Sequence, residues 1–226
     1  MIFRVLGPQA GARKPATLLA ALLLHANAWV SLDELIDEIW QEQAVPASAD
    51  RNVRTYVWQL RQVLPPGRID ARPRSYRLRV SPGEVDSDVA RALLERSERV
   101  AADEAVGCLN SALELWRGTP FAELRAETAV AATAWLQELR WELRERLADA
   151  YTRLGRHGEA IAVLRVLTSE DPLREGTWAR LVRALHAAGR RASALSEYQR
   201  VCDFLAAELG VEPGPELVRA RREVAA

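Results

Sequence analysis

Leu154-Gly155-Arg156, followed by Glu159-Ala160-Ile161, recurs 34 residues later as Ala188-Gly189-Arg190, followed by Ser193-Ala194-Leu195. A period of this length holds one pair of antiparallel helices, and such a pair buries its apolar face only against the next pair. Gly155, Gly189, Ala160 and Ala194 are small enough to let paired helices approach closely. Asp171-Pro172 and Glu212-Pro213 mark the ends of the units, since proline breaks a helix. Apolar-periodic stretches follow one another at 86–100, 102–116, 126–154, 157–169, 174–188, 191–209 and 214–224, with no strand pattern between them. An ordinary helical bundle fits the same periodicity, and either way this half of the chain presents surface.

The first 81 residues are organised differently. Residues 3–6 are predicted as a short strand, stopped by Gly7-Pro8. The apolar run 16–24, after Arg13-Lys14 and before Ala26-Asn27-Ala28, imitates a secretory signal with its cleavage site. It is far shorter than the ~20 apolar residues of a membrane span. Pro15 suits the first turn of a helix, so 15–26 is predicted as a buried helix. Ser31-Leu32-Asp33-Glu34 is a capping box that opens a second helix. There Leu32, Leu35, Ile36, Ile39 and Trp40 form the inner stripe, with Asp33, Asp37 and Glu38 facing water. After a loop at 41–48, a third helix is predicted over 49–64, burying Val53, Val57, Leu60 and Leu64. Pro65-Pro66-Gly67 ends it. Arg68-Ile69-Asp70-Ala71 and Ser75-Tyr76-Arg77-Leu78-Arg79-Val80 then form a hairpin around Arg72-Pro73-Arg74. Three helices and a basic hairpin make a winged helix-turn-helix, and Ser81-Pro82-Gly83 is its boundary. The fold class is mainly α: a winged helix-turn-helix with a small β-hairpin wing, then an all-α, tetratricopeptide-like repeat domain.

The 31 basic and 31 acidic side chains cancel over the whole chain, but residues 51–80 hold eight arginines against one acidic residue, Asp70. Such a local excess marks a surface that faces a polyanion. Opposite its buried stripe the third helix presents Arg51, Asn52, Thr55, Trp58, Gln59 and Gln62, with Arg54 and Arg61 on the flanks and Tyr56 near the edge. A helix of this composition fits the DNA major groove, where arginine suits guanine, Asn and Gln suit adenine, and the Thr55 methyl suits thymine. Arg72 and Arg74 at the hairpin tip reach phosphate or the adjacent minor groove. Arg51, Arg54, Arg61, Arg72 and Arg74 supply the phosphate contacts, and Thr55, Gln59 and Asn52 are the candidates for reading bases. Trp58 and Tyr56 either stack on the nucleic acid or finish the edge of the core.

Other chemistries find little support. The two cysteines, Cys108 and Cys202, lie far apart, and the three histidines are scattered, so neither a metal centre nor a catalytic triad is in prospect. No phosphate-binding or dinucleotide glycine motif is present. No enzyme, metal or cofactor is expected, and a reduced, cytoplasmic setting without a membrane fits best.

The sequence resembles the SARP family of actinobacterial antibiotic regulatory proteins, in which an OmpR-type winged helix precedes a bacterial transcriptional activator domain. The resemblance is carried by FRVLGP at 3–8, LLAALLLHAN at 18–27, LIDEIW at 35–40 and the segment 51–61. In the second half it is carried by ALELWRGTPF at 112–121 and ELGVEPGPEL at 208–217. It implies a transcription activator that binds direct repeats at a promoter as two protomers, recruits RNA polymerase through the sigma factor, and switches on a secondary-metabolite gene cluster at the nucleoid. It divides the chain into residues 1–81, which bind DNA, and residues 82–226, the activator domain. Position by position it assigns Arg51, Thr55, Tyr56, Trp58, Gln59, Arg61 and Arg72 to DNA, and the loop 41–48 to the polymerase. The chain departs from the family in a shortened N-terminal sheet and in Trp58 and Gln59, which stand where small or basic residues are common. It also has Ser75 where a glycine precedes the wing tyrosine, a poor fit to a turn needing positive φ. The competing reading is a helical-repeat adaptor whose reduced winged helix binds protein and has lost DNA.

Overall fold

A computed structural model describes residues 13–225. The expected strand at 3–6 lies outside them. The element order is α1 (Arg13–Leu24), β1 (Val30–Ser31), α2 (Leu32–Trp40), α3 (Ala49–Val63), β2 (Ile69–Arg72), β3 (Ser75–Leu78), then α4 (Asp86–Ser97), α5 (Ala102–Leu113), α6 (Ala126–Arg153), α7 (His157–Glu170), α8 (Glu175–Ala187), α9 (Arg191–Leu209) and α10 (Pro215–Ala225). Packing gathers these into two compact units, one of Met1–Ala90 with Leu115–Gln137, the other of Arg91–Glu114 with Glu138–Ala226. Punctuation at residues 81–83 does not show that 115–137 pack with the first unit.

In the first unit, Leu18, Leu22, Leu35, Val53, Leu60 and Leu78 are fully buried and bring α1, α2, α3 and the sheet onto one core. The capping box is formed: Glu34 N donates to Ser31 Oγ at 3.2 Å, and Ser31 N donates to Glu34 Oε2 at 2.8 Å. The sheet has the order β1-β3-β2, all antiparallel, with Arg72 paired to Ser75 across a two-residue turn. β1 was not foreseen, because two residues are too short for an alternation signal. It pairs Val30 with Tyr76 and so joins the wing to the start of α2.

Three expectations are corrected here. Glu38 does not face water; it is 7% exposed and accepts from Arg125 Nη2 at 3.2 Å and from the Thr128 hydroxyl. A carboxylate on the inner edge of a helix can be buried when cationic and hydroxyl donors cover it. The positive φ of the wing turn falls at Arg74 (φ 52°), so Ser75 sits in β3 without strain. Gly155 and Gly189 have open space where a Cβ would stand, so they do not serve close helix approach.

Those two glycines instead close helices in the left-handed region, at φ 72° and 71°. Arg156 N donates to Tyr151 O and Arg190 N to Leu185 O, each at 2.9 Å. These bonds cap the exposed carbonyls of α6 and α8 in the same way. The sequence repeat is thus a repeat of turn geometry. In this second unit α8 packs against α7, α9 and α10 over Leu164, Leu167, Trp178, Leu181, Leu185, Ala194 and Val201. Ala160 and Ala194, fully buried, are the small residues that admit close packing. Trp178 Nε1 donates to Pro172 O at 2.9 Å and holds the α7–α8 turn. Among the described residues no helix is long and apolar enough to cross a membrane.

Candidate nucleic-acid interface

The face of α3 opposite Val53, Val57 and Leu60 is exposed at Arg51, Arg54, Thr55, Gln59, Arg61 and Gln62, and Trp58 is 61% exposed. A run without Gly or Pro keeps the helix straight, and Asp50 in its first turn suits the positive end of the helix dipole. Asn52 Nδ2 donates to Ser48 Oγ at 3.3 Å, which fixes its amide at the start of the helix. The Thr55 hydroxyl donates back to Arg51 O at 3.1 Å. Tyr56 is half-buried and packs on the core with its ring 6.4 Å from that of Trp40. Trp58 therefore stands in solvent, while Tyr56 finishes the edge of the core.

The wing is held by charge. Asp70 accepts from Arg77 Nη2 at 2.6 Å and from Arg79 Nε at 2.7 Å. These two guanidinium groups, Arg77 foremost, hold its carboxyl below the usual aspartate range. Arg68 makes two bonds to the Glu84 carboxylate, one of them at 2.6 Å. Arg74 at the tip pairs with Asp33 at 2.5 Å and Asp50 at 3.2 Å, the first-turn acids of α2 and α3. Both carboxylates, Asp33 foremost, push its guanidinium pKa up. Leu32 N donates to Arg74 O at 2.9 Å, so the tip is also tied to α2 through its backbone.

The eight arginines of residues 51–80 thus divide in two. Arg68, Arg74, Arg77 and Arg79 have carboxylate partners. Arg51, Arg54, Arg61 and Arg72 have no ion pair among the described residues. Arg61 Nη2 donates to Ile69 O at 2.7 Å and links α3 to the first wing strand. Arg72 lies 4.4 Å from the centre of the Trp29 ring, and Arg77 lies 4.6 Å from it. Sequence reasoning missed Trp29, which braces two wing arginines by cation–π contact. It also missed Asn27, whose side chain exchanges two 2.9 Å bonds with the Val80 backbone. Asn27 adopts φ 67°, and an asparagine between a helix and a strand is the available signal for such a left-handed turn.

Residues 10–78 match the family described as "Transcriptional regulatory protein, C terminal", and residues 85–225 match the "Bacterial transcriptional activator domain". The regulatory protein DnrI of Streptomyces peucetius is 32% identical over 222 residues, covering 91% of this chain and 81% of DnrI. The chain belongs to the SARP family. This SARP chain is also 36% identical over 237 residues to the regulatory protein AfsR of Streptomyces coelicolor, covering 98% of itself but 24% of AfsR. It therefore spans about a quarter of the length of AfsR. The structure of Mycobacterium tuberculosis EmbR in complex with a low-affinity phosphopeptide superposes with a TM-score of 0.81 and 31% identity, over 96% of this SARP chain and 60% of EmbR.

Proposed function

We propose that the chain is a sequence-specific DNA-binding transcription activator. Residues 1–81 bind the DNA, with α3 in the major groove and the wing beside it. Residues 82–226 serve contacts between protomers and with partners. Arg51, Arg54, Arg61 and Arg72 neutralise phosphates, and Asn52, Thr55 and Gln59 read base edges. Trp58 packs on the sugar-phosphate backbone, and Tyr56, at the edge of the core, borders the DNA-facing side of α3. Arg74 reaches phosphate only by giving up Asp33 and Asp50. Two protomers occupy direct repeats of a promoter, and the exposed loop 41–48 faces RNA polymerase and its sigma factor. The regulated genes form a secondary-metabolite cluster, and the protein acts at the nucleoid in the cytoplasm. The observation that carries this reading is the exposed face of α3, where Arg51 and Arg54 stand beside Thr55 and Gln59 with no carboxylate partner among the described residues.

Binding of promoter fragments from the chain's own gene neighbourhood across a salt series tests the proposal. Four phosphate contacts per protomer give a slope of log K on log salt of about −3 to −4 for each protomer bound. The Arg51→Ala, Arg72→Ala double variant should reduce the magnitude of that slope by about 2 per protomer. Weak binding that the double variant leaves unchanged would send the function to the adaptor class.

A further inference from the structure

The segment 112–121 carries part of the resemblance to the family, and residues 115–121 take no part in the surface formed by α3 and the wing. In the first unit, residues 115–121 close one side of a cavity of about 420 Å³. Sites for small molecules span roughly 300–1,000 Å³. Leu24 of α1 and Leu136 of α6 give the cavity an aliphatic wall, and Trp116, Phe121 and Trp135 give it three aromatic ones. Flat walls of this kind favour a flat apolar ligand by stacking. Arg117 lines the same cavity, exposed and without an ion pair among the described residues. Glu123 and Asp86 also line it and oppose a second negative charge.

Backbone geometry adds an independent observation. Phe121 has φ 54°, a left-handed conformation unfavourable to a bulky side chain, and strain of this kind collects at ligand clamps. The segment is held in place from both sides. Leu124 N donates to Phe121 O at 2.9 Å, Gln41 Nε2 donates to Glu123 O at 3.0 Å, and Arg125 and Thr128 bind Glu38 of α2. The wall of the cavity is therefore tied to the helix that precedes α3.

We propose that this cavity binds a flat, apolar small molecule bearing one acidic group, its rings against Trp116 and Phe121 and its acid on Arg117. The site does not depend on whether the chain binds DNA. 1-Anilinonaphthalene-8-sulfonate, an aromatic anion, is a suitable probe, titrated by fluorescence into the full chain. One saturable site is expected. Ala132→Trp places an indole in the cavity and should weaken binding at least tenfold. Arg117→Glu alters an exposed side chain, leaves the fold intact and should do the same. Leu173→Ala, an exposed position in the other unit, should bind as the parent does. N-phenyl-1-naphthylamine, which lacks the sulfonate, should bind at least tenfold more weakly and be indifferent to Arg117→Glu. Equal binding of the sulfonate by the parent, Ala132→Trp and Arg117→Glu overturns the site. Equal affinity of the parent for the two dyes overturns the role of Arg117.

Discussion

Arg54 and Arg74 carry the same charge, and what surrounds each decides what it can do. Arg54 is exposed on α3 with no carboxylate partner among the described residues, so a phosphate there replaces only water and ions. Arg74 must exchange Asp33 and Asp50 for a phosphate and gains correspondingly less. Arg54→Ala is expected to lower the magnitude of the salt slope by about 1 per protomer, uniformly across sequences, in an anisotropy titration. Arg74→Ala should change it less. A larger change for Arg74 would mean that the tip leaves α2 and α3 on binding. Glu38 makes the same point for stability. Its removal leaves Arg125 and Thr128 without their acceptor, and Glu38→Ala should cost about 2 kcal/mol in urea unfolding. The arginine excess was legible from the sequence, but the partners that divide it were not. Asp33, Asp50 and Glu84 lie outside the basic window, and Arg125 is 87 residues from Glu38.

At the scale of elements, the helices were legible because period and caps agree. Apolar spacing and the Ser31–Glu34 box place the start of α2 without any tertiary information. Ser31→Ala is expected to destabilise the first unit by about 1 kcal/mol, measured by urea unfolding. β1 was not legible, because its two residues take their strand conformation from Tyr76 and Ser75 across the sheet. The repeat was legible as a period, while the role of its glycines was not, since small size and left-handed geometry leave the same mark in a sequence. The wing carries a pH dependence of fixed sign. Asp70 titrates below its ordinary value because the charged form is bonded to Arg77 and Arg79. Its contribution is present above the unfolded aspartate pKa, near 3.9, and is lost as pH falls through the lower folded value. Asp70→Asn should weaken the wing at neutral pH and flatten its loss in acid, followed by the amide resonances of β2 and β3.

At the scale of the whole molecule, the return of residues 115–137 to the first unit is the main feature that local sequence signals do not carry. Leu124 and Ala129 enter the core built by α1, α2 and α3, and Arg125 and Thr128 cover Glu38. A fragment ending at residue 90 should therefore unfold at a lower urea concentration than the same unit in the full chain. Equal midpoints would show that the segment adds nothing to the stability of that core. The affinity ratio between a selected direct repeat and a scrambled duplex tests base readout by the exposed face of α3 most directly. Gln59→Ala is expected to lower this ratio by a factor equivalent to about 1–3 kcal/mol of discrimination, while Arg54→Ala weakens both duplexes alike. A ratio unchanged in Gln59→Ala and in Thr55→Ala would contradict it.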